Sequence, residues 1–147
     1  MKRSSTRRRR GGFTLIEVLL VLVILVVLGA LAATAYGPIQ RRANINAAKS
    51  QIGLFKTTLG TYQLLVSNYP GSQEGLEALI NPPAGIAADL VNDWPILDAD
   101  RVPLDPWDNA YGYQSPGTHN TSSYDIWSAG PDMVEGNADD IGNWTTE

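Results

Sequence analysis

The sequence of 147 residues contains no cysteine and a single histidine, His119. The absence of cysteine excludes a disulfide framework, a thiolate nucleophile and a metal site built on thiolates. The chain also lacks a glycine-rich phosphate loop and the GxSxG, HExxH and Walker patterns. His119 lies in a turn rich in serine, threonine and glycine without an obvious acid nearby, so we expect a solvated loop residue. These absences argue against an enzyme.

Basic residues are scarce outside the first ten positions. Six of the eleven lysines and arginines lie within residues 1–10, and the remainder after residue 12 has five basic and fifteen acidic residues, a net charge of −10. Nucleic-acid binding needs a basic surface that displaces counterions from phosphates. The sequence therefore predicts no nucleic-acid partner.

One apolar run is too long for an ordinary soluble core. Residues 18–33 include no polar side chain, and only two threonines and Glu17 interrupt residues 13–36. As a helix, residues 13–36 span about 36 Å, enough to cross a hydrocarbon core of about 30 Å. Basic residues precede the run and none follows before Arg41, which predicts a cytoplasmic N-terminus and export of the rest. A cleaved signal peptide is the alternative, although its apolar region is usually only about 7–15 residues long.

The run begins with the string Arg10-Gly11-Gly12-Phe13-Thr14-Leu15-Ile16-Glu17. A carboxylate in a membrane helix is costly and implies a partner, unless it only reaches the interface. The string resembles the class III leader of type IV pilins and pseudopilins. The resemblance implies that residues 1–12 are a leader, that a prepilin peptidase cuts between Gly12 and Phe13, and that the new amino group of Phe13 is methylated. It also implies that Glu17 neutralises the amino group of a neighbouring subunit during fibre assembly.

After Gly37-Pro38, where proline is expected to loosen or kink the helix, apolar residues recur at spacings of three and four. They are Ile45, Ala48, Ile52, Phe55, Leu59, Tyr62 and Val66. This pattern predicts a helix with one apolar face. A coiled-coil seam is the alternative, but Gly53 and Gly60 weaken it, and we expect the face to pack on the chain's own C-terminal domain.

From Asn68 onward, frequent proline and glycine indicate loops with short elements. We expect a short helix that ends before Asn81 and strands at residues 111–114 and 124–128. The predicted fold is α+β: a transmembrane helix over residues 13–36, its amphipathic continuation over residues 37–67, and a domain of residues 68–147 with a small antiparallel sheet. Residues 84–100 match no pattern.

Strings in the C-terminal region resemble, in order, signatures of the major pseudopilins of bacterial type II secretion systems. They are Tyr69-Pro70 with Glu74 to Leu79, Asp105-Pro106-Trp107 with Asn109 and Tyr111, Tyr124 to Ser128 with Gly130 and Asp132, and Asp139 to Trp144. Asp108 and Ala110 depart from the family, which commonly has glycine and proline there.

The resemblance implies a pilin-like fold and a non-enzymatic subunit of a periplasmic fibre anchored in the inner membrane. Its partners would be further copies of the chain, minor pseudopilins and the inner-membrane assembly platform, and the fibre would drive proteins across the outer membrane. A surface type IV pilin or a minor pseudopilin is the alternative within this class. An exported binding module with an ordinary signal peptide is the alternative outside it.

The acidic loop of residues 130–140 is a candidate calcium site. Calcium takes six to eight oxygen ligands in flexible geometry. A loop that returns Asp139 and Asp140 to Asp132 can supply carboxylates, and its backbone can supply carbonyls. The ligand spacing of an EF-hand is absent. The family resemblance implies side-chain ligands from Asp132, Asp139 and Asp140 and backbone oxygens from Ala129, Val134 and Asn137. A solvated acidic turn is the alternative.

Overall fold

The computed structural model describes residues 12–144, without the side chains of residues 32–35. The basic block and almost all of the predicted leader 1–12 lie outside the described residues, as do residues 145–147. The elements are a long helix α1 (Leu15–Val66), two 3₁₀ helices (Gly75–Leu79 and Val91–Asp93) and three strands, β1 (Gly112–Gln114), β2 (Asp125–Ser128) and β3 (Ile141–Gly142). This is the predicted α+β architecture.

The described part of the chain divides into two separate compact units, residues 12–39 and residues 40–144. In the first unit, every large apolar side chain from Leu15 to Leu31 is at least 48% exposed. This part of α1 is long and apolar enough to cross a membrane. Pro38 lies inside α1, so the helix is not interrupted at the position where proline was expected to loosen it.

In the second unit, the C-terminal half of α1 turns its predicted apolar face into the core. All seven residues of that face belong to the core or pack against it. Phe55 is fully buried, and its ring meets Tyr111 edge-on with the ring centroids 5.2 Å apart. Leu79 and Ile126 join the same cluster. The prediction that this face packs on the chain's own C-terminal domain is confirmed.

The sheet is antiparallel, in the order β1-β2-β3. The two predicted strands are present, each starting one residue later than expected, at Gly112 and Asp125. The Trp127 indole lies so close to Gly112 that a Cβ atom there would overlap the ring. The third strand, β3, was not predicted, because two residues are too few to create a periodic pattern.

Residues 84–100, which match no sequence pattern, are attached to the core at two points. The indole N–H of Trp94 donates to the carbonyl of Ala78 at 2.7 Å, and its ring meets that of Tyr62 edge-on. Leu97 is 4% exposed, and its amide donates to the carbonyl of Leu79 at 2.9 Å. These contacts hold the segment in a defined position against the core.

The carboxylate of Asp125 holds together the turn between β1 and β2. It is almost fully buried and accepts the backbone N–H groups of His119 and Asn120, at 2.7 and 3.0 Å, and the Asn120 side-chain amide at 2.8 Å. Burial alone raises the pKa of Asp125, but these hydrogen bonds outweigh it and hold the pKa below its usual value.

His119 lies in a loop with its side chain half-exposed, as expected, but the expectation that no acid lies nearby is wrong. Nδ1 lies 3.2 Å from Oδ2 of Asp125, and the ring stacks on Trp144 with centroids 4.0 Å apart. The acid is six residues further along the chain, and the indole follows β3. Both contacts depend on the tertiary fold, which local sequence does not reveal.

We expect Phe55→Ala to lower the free energy of unfolding of residues 40–147 by about 3–5 kcal/mol, because it leaves a cavity beneath Tyr111. Urea unfolding followed by tryptophan fluorescence measures this change. The matched control is Leu54→Ala, one position away and 48% exposed, which should change the free energy by about 0.5 kcal/mol or less. Equal losses in the two variants would contradict the assigned core face.

We expect Asp125→Asn to destabilise the same fragment by about 1–3 kcal/mol at neutral pH, because the turn's N–H groups lose an ionised acceptor. The folded pKa lies below the unfolded value of 3.8, so this stabilisation is complete above that pH and is lost as pH falls through the folded value. The difference in unfolding free energy between wild type and variant, measured with chelator present, should shrink in acid.

The control for removal of a carboxyl group is Asp89→Asn, which changes an exposed side chain. It should alter the unfolding free energy by about 0.5 kcal/mol or less. A wild-type advantage over Asp125→Asn that stays constant from neutral pH into acid would rule out the ionised carboxylate as its source.

Candidate functional site

The N-terminus of α1 carries a cap that fixes the position of Glu17. Thr14 directly precedes the helix, and its Oγ1 accepts the Glu17 backbone N–H at 3.3 Å. Threonine followed three residues later by glutamate is the sequence of a capping box. Glu17 therefore lies in the first turn, where the helix dipole favours a negative charge. The sequence singled out this glutamate but not the threonine that caps the helix.

The predicted cleavage site lies immediately before this cap. Gly12 and Phe13 are outside the helix, no part of residues 12–144 beyond its chain neighbours would lie within 4 Å of a Cβ atom at Gly12, and Phe13 is 85% exposed. A peptidase requires an accessible, non-helical peptide bond. The geometry around the Gly12–Phe13 bond meets both conditions.

The acidic loop starts from a buried polar network that sequence analysis missed. Asp105 and Ser128 are both buried, and the Ser128 hydroxyl donates to Asp105 Oδ2. Oγ of Ser128 in turn accepts the N–H of Gly130 at 3.2 Å. The other oxygen of Asp105 accepts the N–H groups of Trp107 and Asn109, at 3.0 and 2.8 Å. The Asp105-Pro106-Trp107 string was the available signal, but it did not indicate this contact across the fold.

Gly130 lets the two ends of the loop meet. Its φ is +68°, a conformation that favours glycine, and a Cβ atom there would collide with the carbonyl of Asp139. The loop thus returns Asp139 to its own starting point beside the buried Ala129. The loop therefore closes at Gly130, whereas the expected return of Asp139 and Asp140 to Asp132 stays a prediction.

Asn143 fastens the chain where it leaves the loop. Its backbone N–H donates to the carbonyl of Ile126 at 3.0 Å, and its Oδ1 accepts the Ile126 N–H at 3.1 Å. Its side-chain amide donates to the carbonyl of Tyr124 at 2.9 Å. Both ends of the loop are therefore held by hydrogen bonds to or near β2.

Inside the loop, two of the predicted ligand residues accept hydrogen bonds from the side-chain nitrogen of a third. Nδ2 of Asn137 donates to Oδ2 of Asp132 at 2.8 Å and to the carbonyl of Val134 at 2.9 Å. The second oxygen of Asp132 accepts the N–H of Val134 at 2.9 Å. Two proposed ligand oxygens thus converge on the Asn137 amide.

The two later aspartates are positioned differently. Oδ2 of Asp140 accepts the N–H of Gly136 at 2.7 Å, whereas Oδ1 is buried without a hydrogen-bond partner among the described residues. The N–H of Asp139 donates to Oδ1 of Asn137 at 2.9 Å. A buried acceptor without a donor costs about 1–3 kcal/mol, and a bound cation would satisfy it.

Across residues 12–144, no three acidic or histidine side chains are gathered into a group that could hold a metal ion. The loop does close, but Asp132 faces Asn137 while Asp140 faces Gly136. The donors are all oxygens, which suit a hard cation such as calcium. The loop's composition and the unpartnered Asp140 oxygen fit such an ion, and the three carboxylates would have to draw closer to share it.

Comparisons with known proteins give matches to both the N-terminal segment and the C-terminal domain. A family model described as "Type II secretion system (T2SS), protein G" matches residues 36–144. A second, described as "Prokaryotic N-terminal methylation motif", matches residues 7–33. Both matches fall on segments where the sequence resembled the pseudopilin leader and signatures.

Curated relatives match along nearly the whole chain. The type II secretion system core protein G of Pseudomonas aeruginosa is 39% identical over 145 residues, covering 94% of this chain and 97% of the relative. The protein of the same name from Escherichia coli (strain K12) is 37% identical over 135 residues, covering 90% of each.

A solved structure also matches, the crystal structure of the major pseudopilin from the type 2 secretion system of enterohaemorrhagic Escherichia coli. It is 31% identical, with a TM-score of 0.61 over 76% of this chain and 95% of that chain. The fold, the methylation motif and the relatives lead to one conclusion: the chain belongs to the type II secretion system protein G family.

Proposed function

We propose that the chain is the major pseudopilin of a type II secretion system, a structural subunit that polymerises into a periplasmic fibre and drives protein export across the outer membrane. Its N-terminus starts on the cytoplasmic side of the inner membrane, α1 crosses that membrane once, and the C-terminal domain is periplasmic. The chain acts by assembly and carries no catalytic activity. Its partners are further copies of itself, the minor pseudopilins and the inner-membrane assembly platform.

The observation that supports this proposal best is the exposure of the first half of α1. The apolar side chains from Leu15 to Leu31 make no core of their own. Burial of apolar surface stabilises a structure by about 25 cal/mol per Å². These exposed side chains therefore require a partner that covers a large area. Lipid supplies that partner before assembly, and the same segment of other copies supplies it in the fibre.

The N-terminal cap supports a specific assembly contact. Removal of residues 1–12 by prepilin peptidase gives Phe13 a cationic amino group, which the enzyme methylates. Glu17 lies one turn away, exposed and at the positive end of the helix. In apolar surroundings a charge is costly unless an opposite charge pairs with it. A copy that enters the fibre can place its amino group beside the Glu17 carboxylate of its neighbour.

We also propose that the acidic loop binds one structural calcium ion. Side chains of Asp132, Asp139 and Asp140 and backbone oxygens of Ala129, Val134 and Asn137 would hold it. Bound calcium would satisfy the buried Asp140 oxygen and relieve repulsion among the carboxylates. The Asn137 amide that now bridges Asp132 and Val134 would give up these contacts to the ion.

We expect Glu17→Ala and Glu17→Gln to insert in the membrane and to be processed at Phe13 but to fail in assembly. Both remove the charge, and a buried charge left without its partner costs about 3–5 kcal/mol. Chemical cross-linking in membranes of the native host measures multimers, and N-terminal sequencing checks the processing.

Val18→Ala is the control, because it trims the same exposed helix without changing charge. It should give the multimer ladder of the wild type. A wild-type ladder from either Glu17 variant would remove the proposed role of this carboxylate.

We expect millimolar calcium to raise the midpoint of thermal unfolding of residues 40–147 relative to chelator. At a calcium concentration 100 times the dissociation constant, the stabilisation is about 2.7 kcal/mol, which corresponds to roughly 10 °C or more for a domain of this size. Asp132→Ala should abolish most of the shift. Calorimetry or fluorescence measures the midpoint.

Glu135→Ala provides a matched control, since Glu135 is an exposed carboxylate of the same loop outside the proposed ligand set. It should retain the calcium response. The site does not exist as described if the wild-type midpoint is the same with millimolar calcium and with chelator.

A further inference from the structure

One flank of α1 carries a row of three positive charges. Arg42, Lys49 and Lys56 are exposed and spaced by seven residues, and we call them the basic flank. Seven residues are about 10 Å of helix and nearly two full turns, so the three side chains lie along one line with a drift of about 20° per step. This line lies beside the buried face that contains Phe55 and Leu59.

The basic flank has no ion-pair partner among residues 12–144. Within that range no lysine or arginine nitrogen lies within 4.0 Å of a carboxylate oxygen. Lys49 borders a cavity of about 550 Å³ that also contains Asp139 and Asp140, but it does not pair with them. The three cations are therefore available to a partner with negative charge.

A matching negative surface lies elsewhere on the same domain. Asp89, Asp93, Asp98 and Asp100 are all exposed, and we call them the acidic segment. Two of them adjoin the anchored residues, because Asp93 precedes Trp94 and Asp98 follows Leu97. The contacts of Trp94 and Leu97 with the core hold these carboxylates in defined positions.

The other exposed acidic groups are hydrogen-bonded or single. Asp132 accepts a hydrogen bond from its own loop and Glu74 accepts the Gly71 N–H at 2.6 Å. The remaining exposed carboxylates of residues 40–144 are single groups in separate segments, namely Glu77, Asp108 and Glu135. The four carboxylates of the acidic segment accept no hydrogen bond from residues 12–144. They are four exposed carboxylates within twelve consecutive residues.

We propose that the basic flank of one copy docks on the acidic segment of another copy of this chain. The inference rests on the proposed function, because it specifies a contact within the proposed fibre. The two surfaces are different, so the contact is heterologous and leaves each copy with one surface of each kind to continue the polymer. Complementary charge of this kind orients the approach and excludes wrong registers.

A groove provides room for the contact. Lys49 and Lys56 border a space of about 280 Å³ whose opposite wall is formed by residues 142–144. A loop that presents aspartates can lie along this space and meet both ammonium groups. Since the groups are exposed, the contact should weaken with salt, because the screening length at physiological ionic strength is only about 8 Å.

The test uses the absence of native cysteine, which confines thiol chemistry to introduced residues. Full-length chains with Lys56→Cys and with Asp98→Cys are co-expressed, and membranes are treated with a short bis-maleimide. We expect heterodimers from this pair and about tenfold fewer from the control pair of Lys56→Cys with Ser122→Cys, which is exposed outside both surfaces. Equal yields from the two pairs would overturn the proposal.

A charge reversal provides a second readout. Lys49→Glu with Lys56→Glu should reduce multimers about tenfold or more through like-charge contact, and adding Asp93→Lys with Asp98→Lys in the same chain should restore them. Failure of the fourfold variant to regain assembly, with its domain folded by circular dichroism, would count against the contact.

The failure of this contact can be told from failure of the proposed function. Wild-type membranes treated with an amine-reactive cross-linker report assembly of any geometry. Multimers of the wild type without selective Lys56–Asp98 linkage would reject the contact and leave the fibre intact. A wild type that gives no multimers would reject the fibre itself.

Discussion

The packing of the C-terminal half of α1 is the interaction on which the rest of residues 40–144 depends. Phe55 and Leu59 are fully buried, and the 3₁₀ helix Gly75–Leu79, Tyr111 of the loop before β1 and Ile126 of β2 all pack into the same cluster. The sheet has only three short strands, and so little sheet is not stable alone in water. The helix supplies the apolar wall that makes the small sheet possible.

The same helix carries two different burial requirements along its length. Residues 45–66 satisfy theirs within the chain, whereas the large apolar side chains of residues 15–28 are all about half-exposed or more and belong to no core among residues 12–144. The polypeptide therefore combines a folded domain with a helical segment whose exposed apolar side chains still require a partner. Polymerisation buries the N-terminal half of α1 without disturbing the folded domain, because the two burial requirements belong to different segments of the chain.

Sequence analysis succeeded where the determining interactions are local and periodic. The apolar face from Ile45 to Val66 follows from its spacing, and β1 and β2 follow from aromatic and β-branched residues on either side of a turn-rich segment. It failed where contacts join distant segments, as for the stacking of His119 on Trp144 and the bond between Ser128 and Asp105. A hydrogen bond between residues 23 positions apart leaves no periodic trace.

The same distinction between local patterns and long-range contacts applies to the candidate sites. Glu17 was identifiable because a single carboxylate in an apolar run is conspicuous, and its cap is a local motif. The acidic loop was identifiable by composition and resemblance. How its oxygens are arranged depends on the Asn137 amide and on Gly130, and neither the amide's bridging contacts nor the closure at Gly130 could be derived from the spacing of aspartates.

The fastening of Asn143 to β2 has a consequence for the order of events during synthesis. The N–H of Ile126, a residue with no exposed surface, is satisfied by a side chain 17 positions later in the chain. The ribosome makes residue 126 well before residue 143. Strand β2 therefore cannot complete its hydrogen bonds with Asn143 until the C-terminal end of the chain has been made, so the domain reaches its final fold only after that end is synthesised.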